Sequence, residues 1–69
     1  MAGSVYKIIE LVGTSEKSWE EAAALAVSKA ATSLRDLRVA EVSKLDMTVQ
    51  DGNVVSYRAR ILVSFKFEK

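Results

Sequence analysis

The 69-residue chain contains no cysteine, no histidine and no proline, and only three glycines. Without cysteine it has neither a disulfide nor a thiolate metal site, and without histidine it lacks the side chain that most often moves protons near neutral pH. The shortage of glycine and proline predicts regular elements with little loop for an active-site lid. These absences argue against a small enzyme and leave oxygen atoms to ligate any bound metal.

Neither sign of charge dominates, because ten basic residues face nine acidic ones. The balance predicts no polybasic surface for nucleic acid. The longest uncharged segment, Ala22–Ser28, has seven residues, too few to cross a membrane. Met1–Ser4 lacks the basic and apolar regions of a signal peptide. We therefore expect a soluble, cytoplasmic protein that binds neither nucleic acid nor membrane.

The length of the chain predicts one domain over residues 1–69 and a need for extra stabilisation. A domain of this size buries only about 60% of the surface that its unfolded chain exposes. Since disulfides are excluded, partner subunits and an oxygen-ligated ion remain as the means of stabilising it.

The apolar pattern of the first half predicts a strand followed by a helix. A strand is expected over Ser4–Val12, ended by Gly13–Ser15. Ser18 and Glu21 fit a capping box, in which each side chain bonds the other's backbone amide. The helix is expected over Trp19–Leu34, with an inner face that consists mostly of alanine.

The second half predicts a hairpin. Strands are expected over Leu37–Val49 and Val55–Phe67, joined by a turn at Asp51–Asn53. Each odd-numbered position of the last strand is apolar, so this face should lie against the helix. A right-handed crossover then gives an α+β fold with β-α-β-β order and strand order 1-3-2. The second face of the sheet stays open and favours association through Ile8, Val42 and Leu62.

Several segments resemble the dodecins, which are small β-α-β-β proteins that assemble as hollow dodecamers and bind ligands inside. The matching segments are Val5–Ser15, the alanine-rich helix, Leu37–Val42 and Val63–Glu68. The resemblance covers nearly the whole chain and implies a single dodecin-like domain in a hollow homododecamer.

Three positions depart from the flavin-binding pattern of typical bacterial dodecins. Val39 stands where a tryptophan stacks on the flavin, Asp46 matches an arginine, and Arg58 matches a glutamine. Valine has no aromatic face for stacking, and an acid cannot pair with a ligand phosphate. The resemblance therefore implies that flavin is not the cofactor, and a flavin-binding storage protein is the alternative.

The remaining segments are similar to a flavin-independent branch, the calcium dodecins. They are Thr14–Ser15, Ser18–Glu20, Arg38–Ala40, Asp46–Met47, Tyr57–Arg58 and Ser64–Lys66. That branch implies calcium as the bound ligand. The leading interpretation is a non-enzymatic binding or storage protein that holds calcium or another hard cation, and a purely structural assembly protein is a second alternative.

Asp46 is the first candidate metal ligand, because the family's matching position has changed from a base to an acid. Calcium takes about six to eight oxygens, so symmetry-related copies would have to contribute. The alternative for Asp46 is a solvated carboxylate or an ion pair with Arg58 or Arg60. Glu10 is a second candidate, with a salt bridge to the same arginines as its alternative. Glu20 is the third, although the first turn of the helix also favours an acid there.

Trp19 and the two arginines of the last strand have simpler interpretations than ligand binding. We expect Trp19 to pack at a helix–sheet or subunit contact. Arg58 and Arg60 are expected to form ion pairs between subunits in preference to holding an anionic ligand.

Overall fold

The computed structural model describes residues 3–66, which form four elements in the predicted β-α-β-β order. The predicted end of the last strand at Phe67 lies outside the described residues. The bounds are β1 Tyr6–Ser15, α1 Trp19–Ala31, β2 Leu37–Gln50 and β3 Asn53–Lys66.

β3 lies in the middle of the sheet and is antiparallel to both neighbours. The predicted strand order is therefore confirmed. Asp51 and Gly52 form the two-residue turn between β2 and β3, with φ angles of 53° and 78°. Positive φ at both central residues is the requirement of a type I′ turn, whose twist matches that of the flanking strands.

The prediction that β1 ends at Gly13 is wrong. The strand continues to Ser15, and Gly13 pairs with Ala59 of β3. A Cβ atom at Gly13 would clash with the carbonyl oxygen of Ala22 and lie 3.1 Å from the Cβ of Ala26. The glycine therefore lets the helix approach the strand backbone closely, instead of breaking the strand.

The start of α1 confirms one half of the predicted capping box. The Ser18 hydroxyl accepts a hydrogen bond from the Glu21 amide at 3.0 Å. The other half is wrong, because the Glu21 carboxylate accepts from the Ser15 hydroxyl at 3.2 Å. The Ser15 oxygen accepts in turn from the amides of Lys17 and Ser18, so the buried end of β1 is joined to the first turn of the helix.

The helix ends at Ala31, three residues before the predicted Leu34. The amides of Ser33 and Leu34 both donate to the carbonyl oxygen of Ala30, which tightens the chain after the last turn. The Thr32 hydroxyl also satisfies the carbonyl oxygen of Lys29 at 2.7 Å.

The core is small and lies between α1 and the odd-numbered face of β3, as predicted. Its buried apolar residues are Ala22, Ala26, Ala30, Ala59, Ile61 and Val63. The described chain is 56 Å long with a radius of gyration of 14.4 Å. A compact domain of this length would have a radius of gyration of about 11 Å. One chain by itself therefore leaves much apolar surface uncovered.

Strict alternation along β2 is wrong, because register shifts interrupt its pairing with β3. Val42 lies opposite Ile61, whereas Lys44 lies opposite Arg60, so Ser43 is an extra residue between them. Val42 consequently lies on the helix side of the sheet, and its prediction for the second face is wrong. A further shift after Leu37 places Val39 on the second face.

Candidate functional site

The side of the sheet away from α1, called the open face here, carries most of the predicted site residues. Its centre is the even-numbered face of β3, flanked by side chains of β1 and β2 at matching register positions. In order along β3, the rows are Thr14–Arg58–Asp46, Val12–Arg60–Lys44, Glu10–Leu62–Glu41 and Ile8–Ser64–Val39.

Asp46 and Arg58 form a two-pronged ion pair on the first of these rows. The Arg58 Nε donates to Asp46 Oδ1 at 2.7 Å, and a second guanidinium nitrogen donates to Oδ2 at 3.1 Å. The hydrogen bond from Arg58 lowers the pKa of Asp46, and the same bond raises the pKa of Arg58. The carboxylate is therefore ionised at neutral pH, and both of its oxygens are engaged.

Glu10 and Arg60 form a looser pair two rows away. Their closest charged atoms, Glu10 Oε2 and an Arg60 guanidinium nitrogen, are 3.8 Å apart, beyond hydrogen-bond distance. Arg60 lies opposite Val12, so its contact with Glu10 is diagonal across the sheet. The ion-pair alternatives for Asp46 and Glu10 thus form within one chain, whereas the arginines were expected to pair between subunits.

Glu20 lies on α1 and not on the open face. It is exposed and lines a cleft of about 440 Å³ together with Trp19, Ala23, Val42 and Leu45. Within residues 3–66 no three acidic side chains converge to form a metal site. One chain therefore does not bring Asp46, Glu10 and Glu20 together, and their metal-ligand role stays a prediction.

Trp19 packs at the contact between the helix and the sheet, as predicted. Its ring meets the ring of Tyr57 edge to face, with centroids 5.1 Å apart. Its indole Nε1 donates to the backbone carbonyl oxygen of Asp46 at 3.0 Å. Sequence reasoning missed this bond, because no local pattern connects the start of the helix with a residue beyond the Ser43 bulge.

Val39 lies at the opposite end of the open face from the Asp46–Arg58 pair. Its side chain is 61% exposed, and its row neighbours Ile8 and Ser64 offer no aromatic face. Three rows separate Val39 from Asp46, which is about 20 Å along a strand. Of the three positions that differ from the flavin-binding pattern, one chain brings only Asp46 and Arg58 together.

Comparison with known proteins agrees with this architecture over nearly the whole chain. The family model described as Dodecin matches residues 5–68. The chain belongs to the dodecin family. The fold and the family resemblance inferred from the sequence are therefore confirmed.

Relatives within the family include one that is named for calcium. Calcium dodecin of Mycobacterium tuberculosis is 51% identical over 63 residues, which are 91% of this chain and 89% of that protein. Dodecin of Thermus thermophilus is 39% identical over 67 residues, 97% of each chain. The inferred likeness to the calcium dodecins is confirmed by the first of these relatives.

Solved dodecin structures superpose closely on the chain. Calcium dodecin of M. tuberculosis, a calcium-chelating antigen with a novel calcium-binding site, has a TM-score of 0.84 and 49% identity, covering 94% of this chain and 93% of that one. Dodecin of Streptomyces coelicolor has a TM-score of 0.92 and 30% identity, covering 100% and 99%. Among residues 3–66, the helix is too short and too polar to cross a membrane.

Proposed function

We propose that the protein is a non-enzymatic binding protein that holds calcium, or another hard cation, within a homododecamer. The observation that supports this most directly is the donor chemistry of the open face, which carries the carboxylates of Glu10, Glu41 and Asp46. The chain has neither histidine nor cysteine, and oxygen donors select hard cations. The 51% identity to a calcium dodecin supports the same ion.

The donors fit calcium in kind, and several copies of the chain are needed to fit it in number. The side chains of Glu10 and Asp46 are about half exposed, so a cation from solvent can reach them. One chain supplies one or two oxygens at each site, whereas calcium takes about six to eight. Symmetry-related carboxylates and water would complete the shell, with Asp46 proposed as the first ligand and Glu10 and Glu20 as the next.

Self-assembly is supported by the apolar surface that one chain leaves uncovered. Ile8, Val12 and Val39 are exposed on the open face, and Val42 and Leu45 are exposed on the helix side. Monomeric proteins rarely expose continuous apolar patches of this kind, because water is excluded from them on association. The same subunits that bury these residues would bring copies of the carboxylates together.

Thermal unfolding of the purified oligomer with calcium and with a chelator tests the proposal. Free calcium at a hundredfold excess over its dissociation constant stabilises the folded state by about 2.7 kcal/mol. We expect chelation to lower the unfolding midpoint of the wild type. Calorimetric titration of the chelated protein should show calcium binding directly.

Three variants assign the ligands, since each replaces one carboxylate by its neutral isostere: Asp46→Asn, Glu10→Gln and Glu20→Gln. The variant that lacks a ligand should lose the response to calcium. A wild type that binds no calcium and keeps its midpoint in chelator would contradict the proposal and leave the purely structural assembly protein. Equal responses in wild type and Asp46→Asn would assign the site to another carboxylate.

A further inference from the structure

The cation-binding oxygens of Asp46 already have an occupant. Both carboxylate oxygens accept from Arg58, at 2.7 and 3.1 Å. A guanidinium fork matches a carboxylate in shape and charge and remains protonated at every physiological pH. A cation that approaches Asp46 therefore meets a carboxylate whose charge is neutralised and whose lone pairs are in use.

We propose that Arg58 is a built-in competitor of the cation at Asp46, which holds the carboxylate in the apo protein and leaves it when the cation binds. This inference rests on the proposed function. Competition of this kind lowers the apparent affinity by the fraction of molecules in which the carboxylate is free. Arg58 would thereby set the cation concentration at which the protein loads, and keep the empty cage from accumulating unpaired negative charge.

The surroundings of Arg58 allow it to leave the carboxylate. Its side chain is 40% exposed, so water can solvate the released guanidinium. Its neighbour in the row on β1 is Thr14, whose uncharged side chain does not repel it. Arg58 is also the one residue among positions 3–66 whose side chain hydrogen-bonds to the Asp46 carboxylate.

Lys44 provides a matched control. It lies on the same face as Arg58, beside Asp46 on β2 and opposite Arg60, and it carries the same charge. Its ammonium forms no ion pair with Asp46. Lys44→Gln therefore removes one positive charge near the site and leaves the Asp46–Arg58 pair intact, whereas Arg58→Gln removes the charge and the pair.

The experiment is calorimetric titration of calcium into the assembled wild type, Arg58→Gln and Lys44→Gln at about 0.15 M salt, where charges beyond about 8 Å are largely screened. We expect Arg58→Gln to bind calcium about fivefold more tightly, the ratio that corresponds to about 1 kcal/mol for a well-formed exposed pair. Lys44→Gln should gain less than about twofold. Adding Asp46→Asn to Arg58→Gln should abolish the gain.

Arg58→Lys supplies a second test in case Arg58→Gln does not assemble. Lysine keeps the charge and loses the planar fork, so the competition should weaken and calcium affinity should rise by a smaller factor. The fluorescence of Trp19, the single tryptophan, provides an independent readout through its bond to the Asp46 carbonyl oxygen. Its emission should change with calcium in the wild type and stay constant in Asp46→Asn.

Each outcome decides between the two proposals. Equal gains in Arg58→Gln and Lys44→Gln would mean that only the general field changed, and would overturn the competitor role while calcium binding stands. Weaker binding by Arg58→Gln would assign Arg58 a supporting role and also overturn it. Absence of calcium binding in the wild type and in every variant would overturn the proposed function itself.

Discussion

The indole of Trp19 donates a hydrogen bond to the backbone carbonyl oxygen of Asp46, 27 residues away in the chain. The ring of Trp19 rests at the same time against Tyr57 of the central strand. The first turn of the helix therefore holds the backbone of β2 at the residue whose carboxylate pairs with Arg58. A helix-side contact thus positions a side chain of the open face.

Replacing Trp19 by phenylalanine should show the value of this contact. Trp19→Phe keeps an aromatic ring but removes the indole donor and leaves the Asp46 carbonyl oxygen without that partner. We expect the free energy of unfolding to fall by about 1 kcal/mol, measured by urea denaturation. Tyr57→Phe, which keeps the other ring of the pair, is the control and should change stability much less. Equal losses in both variants would show that ring packing matters and the hydrogen bond does not.

Gly13→Ala should destabilise the fold through one added methyl group. The new Cβ would clash with the backbone of Ala22, which cannot rotate away as a side chain can. Overpacking of this kind costs about 1–3 kcal/mol. Gly3→Ala is the control, because a Cβ there meets nothing within 4 Å. Urea denaturation of both variants checks the prediction, and a Gly13→Ala protein as stable as Gly3→Ala would contradict it.

The stability of the wild type should depend on acid through Asp46. Its hydrogen bond with Arg58 lowers the pKa of Asp46 below the ordinary value of 3.8. A carboxyl group whose pKa is lower in the folded state contributes stability above the unfolded value and loses it as the pH falls through the folded value. We therefore expect the urea midpoint of the wild type to fall more than that of Asp46→Asn below about pH 4.

The control for this acid dependence is Asp51→Asn, which changes an aspartate in the hairpin turn, away from the pair. Its pH profile should follow that of the wild type. If Asp46→Asn and wild type lose stability in parallel, the pair with Arg58 does not contribute to acid sensitivity.

Riboflavin should bind weakly or not at all. The open face presents Val39 where flavin-binding dodecins place a stacking aromatic ring, and Asp46 and Arg58 occupy each other. We expect the purified protein to be colourless and to leave riboflavin fluorescence unquenched. Val39→Trp should not restore tight binding, because it supplies a ring without the polar partners. Yellow protein, or quenching at sub-micromolar concentration, would show that this interpretation is wrong.

Light scattering should find a particle about twelve times the mass of the 7.6 kDa chain, the assembly that the family resemblance implies. The exposed apolar residues on both sides of the sheet supply the driving force. Val39→Lys places a charge in the most exposed of these positions on β2 and should weaken assembly, whereas Lys44→Gln should not. A monodisperse wild-type monomer at micromolar concentration would contradict the prediction.

Local patterns along the chain predicted most of the fold. The apolar odd-numbered positions of β3 identified the face that packs on the helix, and Ile61 and Val63 are indeed buried there. Asp51 and Gly52 predicted the turn, and Ser18 predicted the start of the helix. Each of these signals depends on residues within a few positions of one another, so the sequence contains it directly.

The errors all concern contacts between distant segments. Gly13 was interpreted as a strand end because glycine is common in turns, whereas its role is set by Ala22 of the packed helix. The extra residue at Ser43 moved Val42 to the helix side, and a bulge leaves no clear mark on an alternating pattern. Glu21 bonds Ser15 in place of the Ser18 amide, because β1 continues far enough to bring that hydroxyl within reach.

For the site, the sequence by itself determined the chemistry, and the tertiary structure decided the arrangement. The absence of histidine and cysteine restricts metal ligands to oxygen, and Val39 removes the aromatic face, whatever the fold. Only the sheet register decided that Asp46 meets Arg58 in a two-pronged pair while Glu10 and Glu20 lie elsewhere. The reason is that donor type belongs to each side chain alone, whereas the distance between two donors depends on the bulges, turns and packing of the chain between them.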